Sequence, residues 1–164
     1  MHQQSHDLMA DFAKLIPPGA KLLDIGSFDV NGNYRDLFTA QQYVGMDIEA
    51  GPNVDIVQPS LYEFPFADES FDVVVSGNVM EHVEQLWRWV LEVDRVLKPG
   101  GLMCHITPHT IHYHPHPVDC WRVRTDGMTT LWDKWMRDNG REPYVFIANK
   151  HEEIDTVFIG RKPG

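Results

Sequence analysis

Cysteine is scarce in this chain, with two in 164 residues. Cys104 and Cys120 form no CxxC pair, and a chain of this length can bury a sufficient core without cross-links, so both read as reduced thiols. Basic residues are few as well: 14 Lys and Arg stand against 24 Asp and Glu, for a formal charge of −10. The deficit is concentrated in residues 1–100, which hold 6 basic and 16 acidic side chains, whereas residues 101–164 hold 8 of each. No basic stripe is available to neutralise phosphates, so nucleic acid is not expected as a partner. No apolar run approaches the roughly 18 residues of a membrane span, and the start "MHQQSHDLMADFAKL" has neither the basic nor the apolar region of a signal peptide. These absences predict a soluble, cytoplasmic chain with no membrane partner, folded as one domain over residues 1–164.

What is present is an alternation of short apolar runs with helical stretches, the pattern of an α/β fold with a mostly parallel sheet. Strands are expected at 21–26, 43–48, 54–57, 71–77 and 101–107, because buried parallel strands read as short β-branched runs. Two further strands, near 144–150 and 155–161, are four residues apart and predict an antiparallel hairpin at the sheet edge. Val83, Leu86, Val90, Val93 and Leu97 recur at helical spacing, and Lys98-Pro99-Gly100-Gly101 is expected to end that helix. Other helices are expected over about 3–15 and 126–138. The tryptophans Trp87, Trp89, Trp132 and Trp135, with Met128 and Met136, read as packing residues. So does Cys104.

In an open parallel sheet, ligands bind outside the carboxyl ends of the strands. After the first strand comes "DIGSFDVNGNY", where a dinucleotide fold would want GxGxxG. The chain offers Gly26, Phe28 and Asn31 at those positions. Phe28 stands where the backbone must approach a pyrophosphate, and Asp24 would repel one, so a nicotinamide oxidoreductase is disfavoured. Asp24 would welcome a cation. Asp47 closes the second strand, 21 residues after Gly26, where a carboxylate can take both hydroxyls of a ribose. A ligand with a ribose, an adenine and positive charge fits both acids, and S-adenosylmethionine is such a ligand.

The segments "LLDIGSFDVNGNY", "YVGMDIE", "FPFADESFDVVVSGNVMEHV" and "VLKPGGLMCHITP" resemble, in order and spacing, the class I S-adenosylmethionine-dependent methyltransferases, especially the small bacterial type 11 kind. The resemblance covers about residues 20–125. It implies a Rossmann-like fold with a seven-stranded sheet and helices on both faces, and S-adenosyl-L-methionine as cofactor. By that resemblance Asp24, Gly26 and Ser27 line the methionine end, Asp47 holds the ribose and Ile48 packs on adenine. Ser60 and Leu61 fall near the adenine, and Ser76, Gly77 and Asn78 lie under the cofactor, with His82 nearby. Two positions depart from the family: Phe28 replaces a common glycine, and Ser60 replaces the usual adenine-side aspartate.

The run "HTIHYHPHPVDCWR" follows the fifth strand, which should place it over the methyl donor. Its His114, Pro117, Asp119, Trp121 and Arg122 resemble a segment found in a subset of these bacterial enzymes, which makes it a candidate acceptor lid. Methyl transfer needs a base only if the acceptor must lose a proton, and an imidazole, with an ordinary pKa of about 6.5, can serve. His114 is the first candidate base, His116 the second and His105 the third, while Asp119 could orient the base or bind the acceptor and Arg122 would join it in the pocket. No metal is assigned. A metal-assisted variant would draw on His109, His112, His114 and His116, yet Pro115 and Pro117 favour an extended run in which these do not all point one way. The expected function is methyl transfer to a small-molecule hydroxyl, amine or carboxylate, from a sugar or natural-product chemistry. The rival class is a non-catalytic Rossmann-like cofactor-binding module, and the edge hairpin on so short a chain leaves a homodimer open.

Overall fold

The computed structural model describes residues 3–164. Seven strands form one sheet: β1 (Lys21–Ile25), β2 (Gln42–Asp47), β3 (Ile56–Val57), β4 (Phe71–Gly77), β5 (Leu97–Pro108), β6 (Val145–His151) and β7 (Asp155–Arg161). Their order is β3-β2-β1-β4-β5-β7-β6. The first five are parallel, and β7 lies antiparallel between β5 and β6. The chain leaves β1 for β2 on one side and later returns to place β4 on the other, so the sheet's direction of winding reverses between β1 and β4. A crevice opens at such a reversal, at the carboxyl ends of the strands.

Alternation along the strands explains the layers. Leu22, Val73, Val75, Cys104 and Ile106 pack with Met9 and Phe12 of α1 (Gln3–Ala13), on one face of the sheet. Leu23, Ile25, Val74 and Met103 pack on the other face with Trp89, Val90 and Val93 of α2 (Leu86–Val96) and with Trp132. Trp132 belongs to a helical stretch that runs as α3 (Thr125–Thr129), a π-helical turn (Thr130–Lys134) and α4 (Trp135–Asp138). No helix among the described residues is long and apolar enough to cross a membrane.

Two expected boundaries move. Val83 is not on α2: it follows a 3-10 turn (Met80–His82) in extended conformation, although it is fully buried as its pattern required. Leu97 also leaves the helix, pairing with Phe71 as the first residue of β5. The strand therefore runs through Lys98-Pro99-Gly100-Gly101, and Gly100, at φ +75°, donates its N–H to Lys162 O at 3.0 Å rather than capping α2. The connections β2–β3 and β3–β4 carry no helix. Arg95 of α2 fastens the second of these, donating to Phe64 O (3.0 Å), Phe66 O (2.7 Å) and Asp68 (2.9 Å). That fixes the loop whose Leu61 faces the crevice.

Candidate functional site

The crevice at the carboxyl ends of β1, β2 and β4 holds a cavity of about 570 Å³, within the roughly 300–1,000 Å³ of small-molecule sites. Its lining carries four carboxylates, Asp24, Asp47, Glu49 and Glu81, and no Lys or Arg. Acidic groups therefore dominate the ionisable lining, with no fixed positive charge among them.

Its first wall is the turn after β1. Gly26 has φ +78°, a region that favours glycine, and a Cβ there would stand 2.2 Å from Val79 Cγ2. The turn consequently lies directly against the segment after β4. Phe28, the departure from the expected glycine, donates its N–H to Asp47 Oδ2 at 3.0 Å. Its ring fills the space over Gly51, where a Cβ would come within 2.1 Å of Phe28 Cε2. A bulky residue is thus accommodated by a glycine across the loop.

Asp47 is held in place by three backbone donors, Phe28 (3.0 Å), Ile48 (2.7 Å) and Glu49 (3.3 Å), and lines the cavity with Ile48. Asp24 is buried; one oxygen accepts the Tyr43 hydroxyl, and Oδ1 has no hydrogen-bond partner among the described residues. Burial pushes its carboxyl up to about 7, opposed by the Tyr43 hydrogen bond. Ser27 lines the cavity with its hydroxyl turned to Asn53 O at 3.0 Å. Gly77 must be glycine because a Cβ would meet the Tyr34 hydroxyl at 2.1 Å, and Asn78 turns the chain at φ +58°.

Several anticipated residues are elsewhere. Ser60 does not line the cavity; its hydroxyl accepts the Tyr62 N–H at 3.1 Å in its own turn, and buried Gln58 faces the crevice instead, its Oε1 without a hydrogen-bond partner among the described residues. Ser76 points into the core, where its hydroxyl pairs with His105 Nδ1 at 2.8 Å. His105 is fully buried, stacked on Trp132 at 5.2 Å and edge-on to Trp89. Burial brings its pKa down to about 3, so it is a neutral core residue and not a base.

The segment after β5 does fold over the cavity, and Ile111, His114, His116 and Pro117 reach it. Asp119 and Arg122 do not. Asp119 accepts the His114 N–H at 2.7 Å, and Arg122 grips Asp119 while donating to Ile111 O (3.0 Å) and His112 O (3.1 Å). The Arg122 hydrogen bonds hold the Asp119 carboxyl far below the usual carboxylate range. This pair staples the lid. His109 leaves the cavity to stack on His151 at 4.6 Å, and His112 is exposed. The four histidines proposed as metal ligands are thus not gathered.

A different residue, absent from the sequence reading as a site residue, also lines the cavity. Glu81 is fully buried, Oε2 accepting the Thr107 hydroxyl at 3.0 Å, and burial pushes its carboxyl up to about 7. His82 Nε2 lies 3.7 Å and His114 Nε2 3.9 Å from its Oε1. Burial lowers the pKa of His82. The signal was the adjacent Glu-His of "MEHV", masked by its reading as the start of a helix.

A family model described as a methyltransferase domain matches residues 23–105. An "Uncharacterized methyltransferase" of Mycobacterium sp. (strain KMS) is 37% identical over 169 residues, covering 91% of this chain and 65% of the relative. A "Probable S-adenosylmethionine-dependent methyltransferase" of Mycobacterium tuberculosis (strain H37Rv) is 36% identical over 86 residues, 49% of this chain and 31% of the relative. The chain thus spans somewhat under two thirds of the length of the first relative and about a third of the second. Among solved structures, the Burkholderia thailandensis 1,6-didemethyltoxoflavin-N1-methyltransferase, with 1,6-didemethyltoxoflavin and S-adenosylhomocysteine bound, superposes with TM-score 0.69 at 13% identity. That match covers 99% of this chain and 78% of the other, and shows a shared Rossmann-like fold.

Proposed function

Because the chain belongs to the class I S-adenosylmethionine-dependent methyltransferases, we propose that it binds S-adenosylmethionine in the crevice and transfers the methyl group to a small molecule. One observation carries this reading: a single cavity without Lys or Arg has two carboxylates at the ends of adjacent parallel strands, one with a free oxygen and one held by the backbone. The unpartnered Oδ1 of Asp24 suits the cofactor's ammonium, which would draw the proton off a carboxyl that burial otherwise keeps on. Asp47, already oriented, would accept the two ribose hydroxyls, and half-exposed Ile48 would pack on adenine, with Leu61 and Gln58 on its other side. Gly26 and Ser27 would lie along the methionine end, with Gly77, Asn78 and His82 beneath.

The acceptor would enter under the lid, between His114, His116 and Ile111. In the transfer, an acceptor lone pair forms the new bond to the methyl carbon while the sulfur–methyl bond breaks. Sulfur keeps the electron pair and becomes a neutral thioether. Positioning and exclusion of water supply most of the rate in such a displacement. His114 or His116 would take the proton from a hydroxyl or amine acceptor. A small acceptor agrees with the cavity's size and with the 1,6-didemethyltoxoflavin bound by the Burkholderia neighbour. Co-crystallisation with S-adenosylhomocysteine tests the reading: adenosine density at Asp47 and the amino-acid end at Asp24 are expected. Density bound elsewhere, or none at saturating ligand, would overturn it.

A further inference from the structure

Glu81, His82 and His114 bring one carboxylate oxygen and two imidazole nitrogens within 4.8 Å of one another, the sole such group of three or more potential ligands among the described residues. The tautomers are set by neighbours. His82 Nδ1 stands 2.5 Å from Val118 O, and His114 Nδ1 stands 2.8 Å from His112 O. A carbonyl can only accept, so each Nδ1 carries a proton, and the neutral imidazole then presents a lone pair at Nε2. The two Nε2 atoms lie 3.7 and 3.9 Å from Glu81 Oε1, a fully buried carboxylate oxygen with no hydrogen-bond partner among the described residues. Three acceptors facing one another repel unless a cation lies among them. One proton could bridge two of them; a metal ion satisfies all three.

The supports are those of a metal site. Imidazoles fixed through Nδ1–H to a carbonyl, and a carboxylate steadied by the Thr107 hydroxyl, are the outer contacts that orient ligands. The lid that brings His114 is docked on the same turn as Glu81: Cys120 and Trp121 donate their N–H groups to Glu81 O at 2.7 and 3.3 Å, and Trp121 Nε1 donates to Val83 O at 2.8 Å. Donors about 2.1 Å from a tetrahedral ion stand roughly 3.4 Å apart. The two distances to Glu81 Oε1, 3.7 and 3.9 Å, lie close to this, and with all three donors within 4.8 Å of one another an ion would draw the lid's His114 inward. All three side chains line the methyl-donor cavity, so an ion there would keep a coordination position open toward it.

We propose that Glu81, His82 and His114 bind a divalent cation of the borderline first-row kind, zinc, manganese or cobalt, whose open position takes an oxygen of the acceptor. The ligand set of two imidazoles and one carboxylate suits those ions over calcium or magnesium, which prefer all-oxygen shells. Resting on the methyltransferase reading, this narrows the acceptor to a molecule whose reacting group is a hydroxyl, which can occupy that one open position. The ion lowers the hydroxyl pKa; the oxygen forms the bond to the methyl carbon, the sulfur–methyl bond breaks onto sulfur, and the hydroxyl proton passes to His116 and solvent. His114 then serves as a ligand and not as the base.

The test uses the chelator-treated full chain titrated with Co²⁺, followed by its visible absorption and by calorimetry. One ion per chain is expected. Glu81→Gln and His114→Ala should each weaken binding by more than about 100-fold, beyond the usual cost of losing an outer contact. His151→Ala, which breaks the other histidine pair, should leave it unchanged. His114 lies on the surface lid, so its variant keeps the test decisive if Glu81→Gln does not fold. Absence of a stoichiometric site, or unchanged Co²⁺ affinity in His114→Ala, would overturn the proposal. S-adenosylhomocysteine binding, measured on the same metal-free sample, reports separately on the methyl-donor reading: its loss alone would sink that reading and leave the metal site standing.

Discussion

Asp119 and Arg122 form a two-pronged ion pair, Oδ1 to Nη1 at 2.5 Å and Oδ2 to Nη2 at 2.8 Å, that closes the lid on itself and does not face the cavity. The pair acts on position. Asp119→Asn should therefore raise KM for the acceptor several-fold while leaving S-adenosylhomocysteine affinity within about twofold. The stability cost, measured by urea unfolding, should be on the order of 1 kcal/mol, since Arg122 is partly exposed and water screens the pair. A loss of kcat with KM unchanged would place Asp119 at the reacting atoms instead.

The turn at Gly26 should tolerate no side chain. Gly26→Ala combines a positive φ with a contact of 2.2 Å to Val79 Cγ2, and an expected loss of about 1–3 kcal/mol follows from strain and overpacking. Adding Val79→Ala removes the contact but not the φ strain. The double variant should regain part of the stability in the same unfolding measurement; no recovery would mean that the contact is not the cause.

With Asp24 as the proposed ammonium site, cofactor binding should depend on pH. Burial raises its carboxyl to about 7, whereas the unfolded chain has an ordinary carboxylate near 4. Between roughly pH 4 and 7 the folded chain therefore holds a proton that the unfolded chain has released, and ligand-free stability should fall as pH rises through that window. Affinity for a cationic ligand runs the other way, since binding must expel the proton below pH 7. It should rise up to about tenfold per unit and level off above 7. Asp24→Asn should flatten that binding profile in calorimetry at several pH values; a profile unchanged by the substitution would rule out Asp24 as the ammonium site.

His105 supplies the counterexample among the histidines. Held between Trp132 and Trp89 and paired to Ser76, it has no access to the cavity. His105→Ala should cost about 2–4 kcal/mol of stability through the void beside Trp132. The pH dependence of turnover should not move.

The strands were readable because buried parallel strands must be short and apolar, and the sheet's carboxyl ends then pointed to Asp24 and Asp47. Both face the cavity. Side chains whose place depends on turns were not readable. Ser60 and Gln58 are two residues apart, and only the turn that engages the Ser60 hydroxyl decides which faces the crevice. Ser76 ends on the core side because strand alternation, rather than nearness to a motif, sets its direction. Glu81 was hidden for a similar reason: a 3-10 turn replaces the expected helical start and aims its carboxylate inward. The segment after β5 was expected over the crevice and does lie there, yet spacing alone could not tell Asp119 and Arg122, which bind each other, from His114 and His116, which reach the cavity.

The most direct test is calorimetric titration of S-adenosylhomocysteine into the full chain and its Asp47→Ala variant. The wild type should bind one equivalent, and the variant should lose on the order of 1–3 kcal/mol of affinity with the ribose contacts. No saturable binding by the wild type, or equal affinity in the variant, would contradict a methyl donor held by Asp47 at the end of β2.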